Sequence, residues 1–218
     1  MCYRWYPKLI QPYLKMISDQ IQNILKNSIK ESGQATLLVC GGSSPLKIFK
    51  ELSESDVDWS KVFISLIDDR IVDEDNPDSN VHLLNQHLLI GNVKNASFIS
   101  LNDDHQKLIG NFDFFDVAIV GMGPDGHFAS LFPSMISDTN YLDYESQPEI
   151  LVTEPVGSPC YRRTSMNLSM ILKTNNIFIV IPNEEKMNIL ENGYKDKDLP
   201  IYYLLNQNIR KINILKTF

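Results

Sequence analysis

Five short, largely apolar runs at residues 36–40, 62–67, 116–120, 150–153 and 177–181 alternate with segments of helical periodicity at 8–30, 45–53, 79–89 and 183–192. Runs of this length, apolar at successive positions, fit strands covered on both faces. In the first helical segment Tyr13, Leu14, Ile17, Ile21, Ile24 and Leu25 recur at three- and four-residue spacing, and Gly33 supplies a stop. Strands and helices alternating in this way require a mostly parallel, Rossmann-like sheet between two helical layers, a three-layer α/β/α fold that binds ligands at the carboxyl ends of its strands. A chain of 218 residues holds one such domain, 1–218, and not two.

The formal charge is -7, from 27 acidic and 20 basic side chains. A field of that sign repels nucleic acid and phosphorylated metabolites alike, so an anionic ligand needs a local cationic pocket. No nucleic-acid partner is expected. No membrane partner is expected either, because no window approaches the roughly 18 apolar residues of a spanning segment. Arg4, Pro7, Lys8 and Pro12 interrupt the first 16 residues, unlike a secretory signal. Cys2, Cys40 and Cys160 form no Cys-x-x-Cys pair. These features lead to the expectation of a cytoplasmic protein with neither disulfides nor a cysteine metal site.

Three polar segments follow the first three expected strands and converge on one rim. Gly41-Gly42-Ser43-Ser44-Pro45 opens a helix, with Ser44 placed to cap it and Pro45 in its first turn. The free N–H groups there suit an anion, although the segment reads equally as an ordinary capped turn. It lacks Walker A spacing. Asp68-Asp69-Arg70 ends the second strand with two carboxylates and a guanidinium suited to phosphate. Gly121-Met122-Gly123-Pro124-Asp125-Gly126-His127 places three glycines, an acid and a histidine behind the third strand. Gly123 and Gly126 permit close backbone approach, and His127 suits general acid/base chemistry. The literal Gly-x-Gly-x-x-Gly match is set aside: Pro133 cuts the following helix short and no acid ends a second strand at the required distance. His82, His87 and His105 read as structural. Lys186, in the first turn of a late helix, opposes the helix dipole unless an anion lies nearby, Glu184 and Glu185 being candidates. Arg162 and Arg163 read either as ligand groups or as exposed charges.

The run from Gly121 to Pro133, Gly-Met-Gly-Pro-Asp-Gly-His-Phe-Ala-Ser-Leu-Phe-Pro, closely resembles the signature of the 6-phosphogluconolactonases. Gly41 to Pro45 resembles that family's Gly-Gly-Ser-Thr-Pro loop. Asp68-Asp69-Arg70 with Asp78-Ser79-Asn80 resembles its Asp-Glu-Arg and Asp-Ser-Asn pair, Arg162-Arg163-Thr164 its Arg-Ile-Thr segment, and Lys186 its late lysine. The likeness runs from about residue 36 to residue 205. Departures are Ser44 for threonine, Asp69 for glutamate and Arg163 for an apolar residue. The related glucosamine-6-phosphate deaminases share the Asp-Gly-His loop but continue Phe-Asn-Glu-Pro where this chain has Ser130-Leu131-Phe132-Pro133.

The resemblance implies hydrolysis of 6-phosphoglucono-δ-lactone, with His127 activating water, Asp125 orienting the site and backbone N–H groups of the glycine loops stabilising the oxyanion. Gly41, Gly42, Ser43, Ser44, Asp69, Arg70, Gly123, Gly126, Arg162 and Lys186 would bind the substrate and its phosphate. No cofactor or metal is implied, and neither His-Glu-x-x-His nor Gly-x-Ser-x-Gly occurs. A deaminase, or a non-catalytic sugar-phosphate sensor, is the alternative. The sugar-phosphate lactone is the expected partner, bound by a monomer or weak homodimer.

Overall fold

The computed structural model describes residues 7–102 and 110–218. Cys2 and His105, and the side chains of Tyr13 and Leu14, lie outside the described residues.

Helix α1 spans Pro7–Ser32. Ile17, Ile21 and Leu25, four residues apart, are buried along one stripe. Gly33 ends the helix in the left-handed region, at φ +82, with its N–H returning to Ile29 O at 2.9 Å. Strand β1 (Ala35–Val39) is buried at all five positions, so both of its faces are covered. Then come α2 (Leu46–Ser53), β2 (Val62–Leu66), β3 (Asp68–Arg70), α3 (Asn80–His87), β4 (Ser97–Ile99) and β5 (Phe115–Val120). The second half contains β6 (Ile150–Val152), β7 (Arg163–Met166), β8 (Thr174–Ile181), α4 (Glu184–Gly193) and β9 (Ile212–Lys216).

The main sheet is ordered β4-β2-β1-β5-β8-β9, and every neighbouring pair is parallel. The strand order reverses between β1 and β5, and a crevice opens there at the carboxyl edge. A second sheet, β3-β7-β6, is antiparallel.

Two expectations are corrected. Residues 150–153 do not enter the parallel sheet: β6 hydrogen-bonds to β7 as an edge strand of the small sheet, and Val152 is exposed. Its apolar run is too short to distinguish a buried strand from a half-covered edge. Edge strands β4 and β9 escape the apolar-run pattern, because Ser97 and Asn213 interrupt them where burial is partial.

At the amino ends of β1 and β5, Asp116 ties the layers together. Its Oδ2 accepts from Thr36 N at 2.7 Å and Thr36 Oγ1 at 2.8 Å, and its Oδ1 accepts from Ser28 Oγ of α1 at 2.7 Å. Removing the carboxylate strands the N–H of Thr36, a residue that is buried. Asp116→Ala should therefore cost about 3 kcal/mol of unfolding free energy in urea titrations. Ligand binding at the opposite edge should be unchanged in the fraction that remains folded.

Candidate active site

A cavity of about 450 Å³ occupies the crevice beyond β1 and β5. The chain leaves β1 through Cys40 into the 41–45 loop. Gly41 has no room for a side chain, since a Cβ there would lie 1.9 Å from Asn80 Oδ1. Gly42 turns the chain at φ +78. The expected Ser44 cap is not made. Helix α2 starts at Leu46 with Pro45 in the cap position, and the Ser44 hydroxyl instead accepts a hydrogen bond from Lys186 Nζ at 3.2 Å. Gly41, Gly42, Ser43 and Ser44 all line the cavity.

β3 sorts its three residues by alternation. Asp68 and Arg70 face the cavity and Asp69 faces away. The Asp69 carboxylate accepts from Arg70 N at 2.7 Å, Asn80 N at 2.6 Å and Ser79 Oγ at 3.2 Å. Burial pushes its pKa up against those bonds, led by that from Asn80 N. Asp69, expected in the binding site, braces the turn into α3 and does not line the cavity. Asp68 and Asn80, absent from the expected site, are in it: Asp68 Oδ2 accepts from Ser130 Oγ at 2.5 Å, and Asn80 Oδ1 accepts from Arg70 Nη1. Adjacency to the motif's arginine at even spacing was the signal for Asp68.

Beyond β5, the 121–127 loop folds back on itself, with Gly123 N donating to His127 O at 2.8 Å and Gly126 N donating to Gly123 O at 3.2 Å. The imidazole fills the space that a Gly123 side chain would take, 2.1 Å from a Cβ there to His127 Cε1. Gly126, expected in the binding site, turns at φ +75 against Leu199 and does not line the cavity. His127 Nδ1 is hydrogen-bonded to Asp125 Oδ1. A carboxylate only accepts, so Nδ1 is the protonated nitrogen of the neutral ring and Nε2 the one that can take up a proton. Phe132 stacks on the imidazole, centroids 4.3 Å apart at 28°. Ala129, in the same loop and lining the cavity, is held at φ 51, a strained conformation for a residue with a Cβ.

The arginine pair is the largest correction. Arg162 is exposed and does not line the cavity, whereas Arg163 is 4% exposed and does. One residue of register on β7 reverses the face, and a tandem Arg-Arg conceals which member turns inward. Arg163 sits directly across from Arg70 in the β3–β7 ladder. Burial, and next the Arg70 charge, lower its pKa. It donates Nε to Val156 O at 3.2 Å and Nη2 to Pro159 O at 3.1 Å, and its guanidinium lies 5.3 Å over the Phe132 ring.

Lys186 enters from the first turn of α4, whose N-cap Asn183 accepts from Lys186 N at 2.9 Å. Its ammonium reaches Ser44 Oγ and Met122 O, neutral groups, and not the carboxylates of Glu184 or Glu185, which are exposed. Burial lowers its pKa. Three cations, Arg70, Arg163 and Lys186, thereby share one cavity with His127. His82 and His87 lie on α3 outside the cavity lining. Among the described residues no group of three His, Cys, Asp or Glu side chains is arranged to hold a metal, and no helix is long and apolar enough to cross a membrane.

Fold and cavity together define a doubly wound α/β protein with a cationic, histidine-bearing site at its switch point. Comparison with known proteins gives the family: the chain belongs to the glucosamine-6-phosphate isomerases/6-phosphogluconolactonase family, whose model matches residues 11–212. It is 33% identical over 204 residues to a 6-phosphogluconolactonase of Helicobacter pylori, covering 88% of each chain. Over 204 residues it is 32% identical to one from Neisseria meningitidis, covering 87% of this chain and 88% of that one. The crystal structure of a 6-phosphogluconolactonase from Shewanella baltica superposes with a TM-score of 0.85 at 30% identity, covering 95% of this chain and 94% of that one.

Cys40 lines the cavity, but burial, and then the Asp68 charge, push its thiol pKa up to about 12. At pH 8 about one thiol in ten thousand is then ionised. Iodoacetamide labelling followed by peptide mapping should modify exposed Cys160 within minutes and leave Cys40 unmodified. Comparable labelling of both would mean that the 41–45 loop opens to solvent.

Proposed function

We propose that the protein hydrolyses 6-phosphoglucono-δ-lactone to 6-phosphogluconate, the second step of the oxidative pentose phosphate pathway. The observation that carries this reading is His127: its Nδ1 is fixed by Asp125, its Nε2 is free to take a proton, and the cavity it lines holds three cations.

The chemistry follows from that arrangement. Nε2 removes a proton from water as the water oxygen attacks the lactone carbonyl. The resulting oxyanion is held by backbone N–H groups of the glycine loops, each such donor worth roughly 3 kcal/mol in acyl transfer. The carbonyl–ring oxygen bond then breaks, and the imidazolium returns its proton to that oxygen, leaving a hydroxyl and a carboxylic acid that ionises to carboxylate. Asp125 keeps the ring in one tautomer throughout, and Phe132 limits its rotation.

Arg70, Arg163 and Lys186, with Ser43, Ser44 and the amino end of α2, anchor the phosphate. A dianion there relieves the repulsion between the paired arginines, and that relief favours a phosphorylated substrate over a plain sugar lactone. Deamination is disfavoured, because the position of the deaminases' loop acid holds Phe132, whose ring is stacked on His127. In this reading the enzyme acts in the cytoplasm as a monomer or weak homodimer.

The decisive experiment adds protein to freshly generated lactone and follows acid release against the spontaneous rate. Tight binding without acceleration would replace the enzyme by a sensor. His127→Ala should lower kcat by roughly two to four orders of magnitude while leaving 6-phosphogluconate binding intact. Near-native turnover in that variant would remove His127 from the mechanism. Arg163→Ala should raise KM by about 10- to 100-fold, as for a lost charge-assisted contact, and Arg162→Ala should stay within about twofold of the parent enzyme. The reverse ranking would return the phosphate to the exposed arginine.

A further inference from the structure

β6 and β7 form a hairpin whose tip leans over the cavity. Val156 and Tyr161 close it with backbone bonds of 3.0 and 3.4 Å, Gly157 turns it at φ +83, and Ser158 lines the cavity. The tip is packed down on the Arg163 guanidinium: a Cβ on Gly157 would lie 2.6 Å from Arg163 Nη2 and 2.9 Å from Phe132 Cζ.

On the other side, residues 71–79 run from Arg70 to the α3 cap. The β3–β7 ladder ends at the Arg70–Arg163 pair, followed by a single backbone bond from Ile71 N to Arg162 O at 2.9 Å. Past that point the two segments are joined by one side-chain bond outside the cavity lining, in which Tyr161 Oη donates to Asp78 Oδ2 at 3.1 Å. Asp78 leads through Ser79 to Asn80, the acceptor for Arg70, and Tyr161 lies two residues before Arg163. The bond therefore links the segment that holds one guanidinium to the segment that holds the other. Donation to the Asp78 carboxylate also raises the pKa of the phenol, so the donor stays protonated at neutral pH.

We propose that Tyr161 is a positioning residue for ligand binding: latched to Asp78, it holds the hairpin tip over the cavity and sets the spacing of Arg70 and Arg163 against their mutual repulsion. The identity of the ligand rests on the lactonase reading; the latch itself does not. A pair of arginines pre-set at the span of a phosphate binds it without first closing, which lowers KM and leaves the chemical step alone.

Four variants test this: Tyr161→Phe, Asp78→Ala, the double variant, and Asp78→Asn, which keeps an oxygen acceptor for the tyrosine hydroxyl. Tyr161→Phe and Asp78→Ala should each raise KM for fresh lactone, and Kd for 6-phosphogluconate, about three- to tenfold, with kcat within about twofold. The double variant should be no worse than either single one, and Asp78→Asn should stay near the parent enzyme. In ligand-free protein, hydrogen–deuterium exchange at the tip amides should quicken in Tyr161→Phe and Asp78→Ala. Additive losses in the double variant, or a Tyr161→Phe protein with unchanged KM and unchanged tip exchange, would overturn the latch. If the parent protein leaves the lactone untouched while tip exchange still responds to Tyr161→Phe, the lactonase reading fails and the latch stands.

Discussion

Arg70 and Arg163 face each other across two antiparallel strands, and the rest of the site is arranged around that repulsion. Like charges directly opposite in a ladder are destabilising. Here the cost is met by neutral acceptors, with Asn80 Oδ1 on one guanidinium and the carbonyls of Val156 and Pro159 on the other. None of these neutralises the pair. The protein is acidic overall, yet it gathers three cations in one cavity, where the Asp68 carboxylate is the acid that lines it with them.

The histidine wall is held by different means. The imidazole of His127 lies between Phe132 on one face and the backbone of Gly123, with Asp125 fixing its orientation through Nδ1. Arg163 lies over the same Phe132 ring, so the cation wall and the histidine wall share one aromatic side chain. Packing thus ties the two walls through one ring. Positioning of this kind is where much of an enzyme's rate advantage resides.

The small antiparallel sheet explains how loop residues acquire strand precision. Arg70 and Arg163 lie at the end of the β3–β7 ladder, where pleat alternation fixes which side chains enter the cavity. The same alternation turns Asp69 away from the cavity to brace the α3 cap and turns Arg162 out to solvent. Asp69 and Arg162 belong to recognisable motifs. Their positions in those motifs were plain, and their directions were not.

The sequence alone determined the central strands of the parallel core, because runs buried on both faces are largely apolar and need no partner to be read. It also placed His127 within reach of Asp125, since a histidine two residues after an acid in a glycine-rich turn has few conformations open to it, and put Lys186 in the first turn of its helix, a local matter. Tertiary structure decided which arginine of the tandem pair lines the cavity, that Asp68 lines it while Asp69 turns away, that Gly126 lies outside its lining, and that residues 150–152 form an edge outside the main sheet. Each of those outcomes depends on strand register or on partners distant in the chain, as where Arg163 meets Arg70 and Asp68 meets Ser130. Local pattern carries periodicity and turn chemistry, whereas the face a side chain presents is fixed only when two separate strands pair.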